Sequence, residues 1–189
     1  MSKSKIIILL GVICMIASLS LFGYNFYEDH QANKYVNYVL DHLKFEEYDR
    51  TYELVAEMEM NVSFVDDIAY VGVLELEQFD LTLPIINKCN DDYLKIAPCC
   101  MQGSIYTKDM IIAGHNYSSH FGKLGLLKPG SKISFIDMNQ NEFEYQVIDI
   151  FKINGNDYDK LVSLDYDLTL FTCTLSRIDR IVVGCMLIN

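Results

Sequence analysis

The chain has 189 residues, of which 22% are charged, and a formal net charge of −11. That balance excludes the basic footprint of a nucleic-acid binder, while the length suits one compact domain with a sizeable core and one attached element. Every acidic residue lies at or after Glu28, leaving 13 basic against 26 acidic residues beyond position 27, so an anionic polymer is not expected as a partner there.

The first predicted element is Ile6 to Gly23, IIILLGVICMIASLSLFG, a run of 18 residues without a formal charge, followed by Tyr24, Phe26 and Tyr27. As a helix rising about 1.5 Å per residue it approaches the hydrocarbon thickness of a bilayer once the aromatic flank is added. Lys3 and Lys5 precede it and Glu28 and Asp29 follow. The positive-inside rule then predicts a cytoplasmic N-terminus, with the three aromatic rings at the outer interface. A cleaved signal peptide would usually have a shorter apolar region ending at a small-x-small site, and Ala17-Ser18-Leu19 matches that poorly. Residues 1–27 are therefore read as a cytoplasmic tip and an uncleaved transmembrane anchor.

Residues 28–68 form the next segment. From His30 to Met60 there is no Pro or Gly, and Tyr35, Val36, Val39, Leu40 and Leu43 recur at helical spacing. The pattern predicts one or two helices that lead from the anchor to the domain and pack on its side.

From Ala69 the apolar period changes to two. AYVGVLEL, DLTLPII, MIIAGH, KISFIDM, EFEYQVIDIF, DLTLFTC and RIVVGCML read as strands. Lys128-Pro129-Gly130, Asn139-Gln140-Asn141 and Asn154-Gly155-Asn156 punctuate them. Short helices are predicted within residues 91–96 and 157–162. Seven or eight short strands with few helices over 69–189 indicate one domain, mainly β, either a closed barrel or a sandwich.

Of the six cysteines, Cys14 lies in the anchor. Cys89, Cys99, Cys100, Cys173 and Cys185 lie outside it, an odd number that implies a leftover reactive thiol or no disulfides at all. None shows zinc-ligand spacing. Cys185, on a strand, and Cys99 and Cys100, after Pro98, are read as packing residues, and no disulfide is expected.

The stretch LTLFTCTLSRIDR, residues 168–180, carries the chemistry. If Leu168–Thr172 and Arg180–Met186 are antiparallel neighbours, a symmetric hairpin places Cys173 opposite Arg180, with Cβ atoms about 5 Å apart on one face. Arg177 is also near but sits at the loop tip. One residue of slip would reverse this facing. A neighbouring cation favours the nucleophilic thiolate, or donates to the oxygen that becomes negative when sulfur attacks a carbonyl. Acyl transfer from a thiol also needs a proton carrier, and His115, just past the apolar run MIIAG, is better placed than His30, His42 or His120. On these grounds alone a buried core thiol, a surface histidine and an ordinary edge-strand arginine remain open as readings.

At these residues the chain resembles the sortases, membrane-anchored cysteine transpeptidases of Gram-positive bacteria. Thr169-Leu170-Phe171-Thr172-Cys173 is similar to the family's Thr-Leu-x-Thr-Cys at a strand end. Arg180-Ile181-Val182-Val183-Gly184 is similar to its arginine-led strand, and Ile112-Ala113-Gly114-His115 to its histidine run. Tyr70 to Leu76 and Leu81 to Ile85 look like its first barrel strands. The resemblance implies a closed eight-stranded β-barrel with short helices, with Cys173 as nucleophile, His115 as general acid and base and Arg180 as oxyanion and substrate clamp. It also implies Thr172, and with it Thr169, as substrate-groove contacts.

The implied substrate is a surface protein with a Leu-Pro-x-Thr-Gly-like sorting signal, held as a Cys173 thioester and passed to an amine. The acceptor would be a peptidoglycan precursor or cross-bridge, or a pilin lysine in pilus-polymerising members; a thiol hydrolase on the same fold is a further alternative. This substrate requires the domain to be extracellular, on a single-pass anchor. The short loop from Cys173 to Arg180 and Glu77-Gln78 in place of Ile-Pro depart from many relatives. His115-Asn116-Tyr117 and His120-Phe121-Gly122 fit a housekeeping or clostridial type, and no lid segment with an Asp-Pro motif is seen, so wall anchoring is preferred over pilus assembly. No cofactor is expected; some family members are modulated by calcium, but the acids here spell no ligand loop.

Overall fold

The computed structural model describes residues 3–45, 59–174, 176 and 178–189. The part of the membrane-proximal helical segment at 46–58, and Arg177, lie outside these described residues.

Helix α1, Lys3–His42, runs as one continuous element. Where the sequence suggested an anchor followed by one or two further helices, there is no break between the anchor and the first of them. No proline interrupts the run, and an isolated glycine such as Gly23, with nothing within 4 Å of its would-be Cβ, costs a helix only about 1 kcal/mol. The helix is long and apolar enough to cross a membrane, and the side chains of residues 6–23 are all exposed. Its C-terminal part turns Ala32, Val36 and Val39 onto the rest of the protein, where all three are buried. Their spacing of four and three residues lays them along one face.

The strands are β1 Ser63–Val65, β2 Ile68–Leu76, β3 Leu81–Ile86, β4 Cys99–Gln102, β5 Met110–Gly114, β6 Lys132–Asp137, β7 Glu142–Asn154, β8 Leu168–Cys173 and β9 Asp179–Leu187. Two short helices, α2 Asp91–Leu94 and α3 Tyr158–Val162, fall where the sequence predicted them. The hydrogen-bonded order is β2-β3-β4-β5-β8-β9-β7-β6, and β6 pairs back onto β2. Eight strands thus close into a barrel, and β1 is a short flap on β2. Neither β1 nor β4 was predicted, since three or four residues are too few to show a period.

Leu74, Leu83, Ile112, Phe135, Leu170 and Val183 fill the interior at 0% exposure. On β5, β7, β8 and β9 the outer face is apolar as well: Ile111, Ala113, Ile153, Phe171 and Val182 pack together beneath Leu161 of α3. Strands β5 and β8 and the middle of β9 are therefore buried on both faces, which restricts their register more strongly than one-sided burial would.

Two expectations about cysteine need separate treatment. Cys185, Cys99 and Cys100 are buried as predicted. The absence of a disulfide is corrected: Cys89 and Cys99 are bonded, with Cα atoms 5.1 Å apart. The cause is topological. β3 and β4 are parallel neighbours with Ile86 beside Cys99, so the chain that crosses through α2 returns its end next to its start. Cys14, Cys100, Cys173 and Cys185 remain free.

The β2–β6 seam that closes the barrel approaches one glycine closely. At Gly72 of β2, paired with Asp137 of β6, a Cβ would lie 2.5 Å from the Ile136 carbonyl oxygen and from the Phe135 ring. Gly72→Ala is expected to lower stability by about 1–3 kcal/mol through overpacking, measured by urea denaturation, whereas the same change at the unobstructed helical Gly11 should not lower it.

Candidate active site

Strand β8 lies between β5 and β9, parallel to the first and antiparallel to the second. Across the parallel ladder Gly114 is level with Thr172, so His115, one residue on, emerges level with Cys173. Across the antiparallel ladder Cys173 faces Arg180 directly, as the symmetric hairpin required. Three adjacent strand ends thus bring His115, Cys173 and Arg180 into one row, although 65 positions separate the first from the last.

The hairpin between β8 and β9 is held by its own polar groups. Thr174 N–H donates to the Asp179 carbonyl at 2.9 Å, Asp179 N–H donates to Thr174 Oγ1 at 3.3 Å, and the Thr174 and Ser176 hydroxyls bond at 2.9 Å. On this frame Arg180 Nη1 donates to Cys173 Sγ at 3.0 Å. The far side of Arg180 is closed by β7, where Ile153 is its ladder partner. Gly155, just beyond β7, donates its N–H to the Ile178 carbonyl at 2.8 Å; a Cβ there would sit 2.7 Å from that oxygen and 3.3 Å from Arg180 Nη1. Among the described residues no carboxylate forms an ion pair with Arg180.

His115 leaves the sheet into a tight loop. Phe121 N–H closes it by donating to the His115 carbonyl at 3.0 Å, and His120 and Gly122 N–H groups donate to the Tyr117 carbonyl at 3.0 and 2.8 Å. A Cβ on Gly114 would lie 2.5 Å from the Phe121 ring, so a glycine before the histidine is what lets the loop fold under. The Tyr117 ring stacks on the His115 imidazole, centroids 4.8 Å apart and planes 30° apart.

All three side chains line one open cleft of about 400 Å³ on the outer face of the barrel. Ala113, Ile153 and Phe171 form its apolar floor, Leu161 and Tyr158 of α3 one wall, and Leu94 with Cys89 the other. Its size and its apolar surface with a few convergent polar groups are those of a ligand site. Cys173, His115 and Arg180 are each half-buried, reachable from solvent. Thr169 and Thr172, expected in the groove, are 2% and 1% exposed, and neither lines the cleft. Thr172 points to the opposite face of β8 from Cys173, as alternation along a strand dictates. Sequence reasoning missed the two walls, because α3 and the disulfide-tied α2 segment meet the strand ends only through the barrel's topology. Among the described residues no three His, Cys, Asp or Glu side chains group closely enough to hold a metal ion.

Comparison with known proteins points one way. The family model described as the sortase domain matches residues 74–188. No curated protein sequence matches the chain. Among solved structures, sortase A from Corynebacterium diphtheriae is 19% identical with a TM-score of 0.58, over 65% of this chain and 62% of that one. The Clostridium perfringens sortase D5 transpeptidase is 23% identical with a TM-score of 0.56, over 64% of this chain and 79% of that one. The pilus-related sortase C of Group B Streptococcus is 19% identical with a TM-score of 0.57, over 86% of this chain and 90% of that one. Identities this low establish a shared fold.

The loop after His115 also holds a buried base. His120 is 0% exposed, and neither ring nitrogen makes a hydrogen bond of normal geometry. Burial, with the nearby His115 adding to it, pushes its pKa down to about 4, and Asp29 and the Ile96 backbone offset this only in part. The unfolded chain takes up that proton near pH 6.5, the folded one only near 4. The neutral ring's contribution is therefore complete above pH 6.5 and is lost as pH falls toward 4, by about 3 kcal/mol in all. Urea denaturation from pH 4 to 7 should show this slope in the wild type and a flatter one in His120→Leu.

Proposed function

The chain belongs to the sortase family, and from that premise we propose that it is a membrane-anchored cysteine transpeptidase in which Cys173, His115 and Arg180 do the chemistry. Its donor is a surface protein with a Leu-Pro-x-Thr-Gly-like sorting signal and its acceptor an amine of the peptidoglycan precursor. The observation that carries this reading is the row of three groups from adjacent strand ends opening into one cleft.

The apolar floor suits the leucine and proline of such a signal. Cys173, its thiol proton passed to His115, attacks the threonine carbonyl carbon through Sγ, the carbon–oxygen π bond opens, and the oxygen takes up the negative charge. Arg180, already bonded to the sulfur and free of carboxylate partners among the described residues, turns its donors to that oxygen. When the tetrahedral intermediate collapses, the carbon–nitrogen bond breaks, His115 supplies the proton to the departing glycine amine, and a thioester remains. The acceptor amine then attacks the thioester carbonyl, His115 takes its proton, and Cys173 is released as an amide forms.

The single-pass anchor is α1, with the lysine-bearing end in the cytoplasm and the barrel outside the cell. A pilin lysine as acceptor is the second reading; likeness to the pilus-related sortase C over 86% of this chain favours it. A lysine-bearing pilin peptide and a peptidoglycan-precursor amine, offered in competition to the acyl-enzyme, separate the two by the mass of the product.

Cys173→Ala should abolish cleavage of a Leu-Pro-Ala-Thr-Gly reporter peptide while leaving the circular dichroism spectrum intact; a cleaving Cys173→Ala enzyme would end this reading. Gly155→Ala, whose methyl would meet the Ile178 carbonyl first and the Arg180 guanidinium next, is expected to displace Arg180 and lower kcat/KM by about tenfold or more, read in the same assay.

A further inference from the structure

His115 is the first residue past the end of β5, where the sheet no longer holds the chain. Its ring stacks on Tyr117 at 4.8 Å, and the turn that carries Tyr117 is held within itself, through the Tyr117 carbonyl and the His120 ring, and by a tie from outside the barrel. Two consecutive residues of α1 supply it. The Asp29 carboxylate accepts from the Ser118 hydroxyl, from Ser119 N–H at 3.1 Å and from the Ser119 hydroxyl at 2.7 Å, which also reaches the Asp29 carbonyl oxygen at 3.3 Å. The Glu28 carboxylate accepts from the Tyr117 hydroxyl at 3.5 Å and is itself fixed by the Tyr24 hydroxyl at 2.7 Å. One carboxylate thus takes three hydrogen bonds from two consecutive serines about 90 positions away in sequence.

We infer that Asp29 is a positioning residue for the catalytic imidazole, so that the membrane helix is a working part of the active site and not only its tether. The inference rests on the assignment of His115 as the proton carrier. Ser119 is 8% exposed, so its amide and hydroxyl would be left largely without water if the carboxylate were removed. The turn would then re-form around other partners and carry Tyr117 with it. An imidazole displaced by as little as about 1 Å from the leaving amine costs up to about a hundredfold in rate, whereas the apolar cleft floor, on β5, β7 and β8, is unaffected. The expected signature is a fall in kcat with KM unchanged.

The test uses the full chain in detergent micelles, with a fluorogenic Leu-Pro-Ala-Thr-Gly peptide and with the histidine side chains followed by 1H–15N NMR. Asp29→Ala is expected to lower kcat at least about tenfold, to leave KM within about twofold, and to shift or broaden the His115 ring signals. Asp29→Asn, which keeps an oxygen for the Ser119 amide, should recover most of the rate. Tyr117→Leu should reproduce the Asp29→Ala defect, while Tyr117→Phe, which keeps the stack and gives up only the 3.5 Å bond to Glu28, should retain most of the rate because the Asp29 tie remains. Wild-type kcat in Asp29→Ala with unshifted His115 signals overturns the inference. Unimpaired turnover in His115→Ala would instead overturn the assignment on which it rests, and the two failures are distinct. If Asp29→Ala does not fold, the Ser118→Ala/Ser119→Ala double variant, which keeps the carboxylate and removes its hydroxyl donors, decides the matter by the same kcat and ring readouts.

Discussion

The site depends on the register of one strand. β8 sits between a parallel and an antiparallel neighbour, and only one alignment of each ladder places a histidine, a cysteine and an arginine side by side. A slip of a single residue would turn the sulfur into the barrel and Thr172 out toward solvent. Burial of β8 on both faces prevents this: Leu168 and Leu170 are locked into the interior and Phe171 into the outer cluster under α3. The apolar packing that holds the fold is thus also what aims the chemistry.

Much of this arrangement could be read before any coordinates. Alternation marked seven of the nine strands among the described residues, and the symmetry of residues 168–180 alone paired Cys173 with Arg180. Other features had no local signature. A parallel pairing such as β5 with β8 joins segments more than fifty residues apart and leaves no turn motif to read, so the level placement of His115 beside Cys173 came only from the assembled sheet. The Cys89–Cys99 bond was hidden for the same reason: a ten-residue separation has meaning only once β3 and β4 are known to run side by side. Thr172 shows the reverse error, in which a position inside a motif was assigned to the groove although strand periodicity already sent it to the other face.

The cleft itself is a joint product of sheet and excursions. Its floor is made from the outer faces of β5, β7 and β8, and its two walls from the short helices that interrupt the strand sequence. One wall is braced by the disulfide and the other by Leu161 sunk into the outer cluster. The reactive groups therefore stand at the boundary between a rigid sheet and less regular segments, which leaves the walls freer to vary than the floor.

Helix α1 has no joint between its apolar stretch and the face that docks on the barrel. Forty residues of helix make a rod of about 60 Å, of which a bilayer would take roughly half. Asp29 is fixed to the barrel six residues beyond that stretch, so in the anchored protein proposed above the cleft would not roam on a leash but would keep a set altitude over the lipid, where molecules gliding in the same leaflet meet it first.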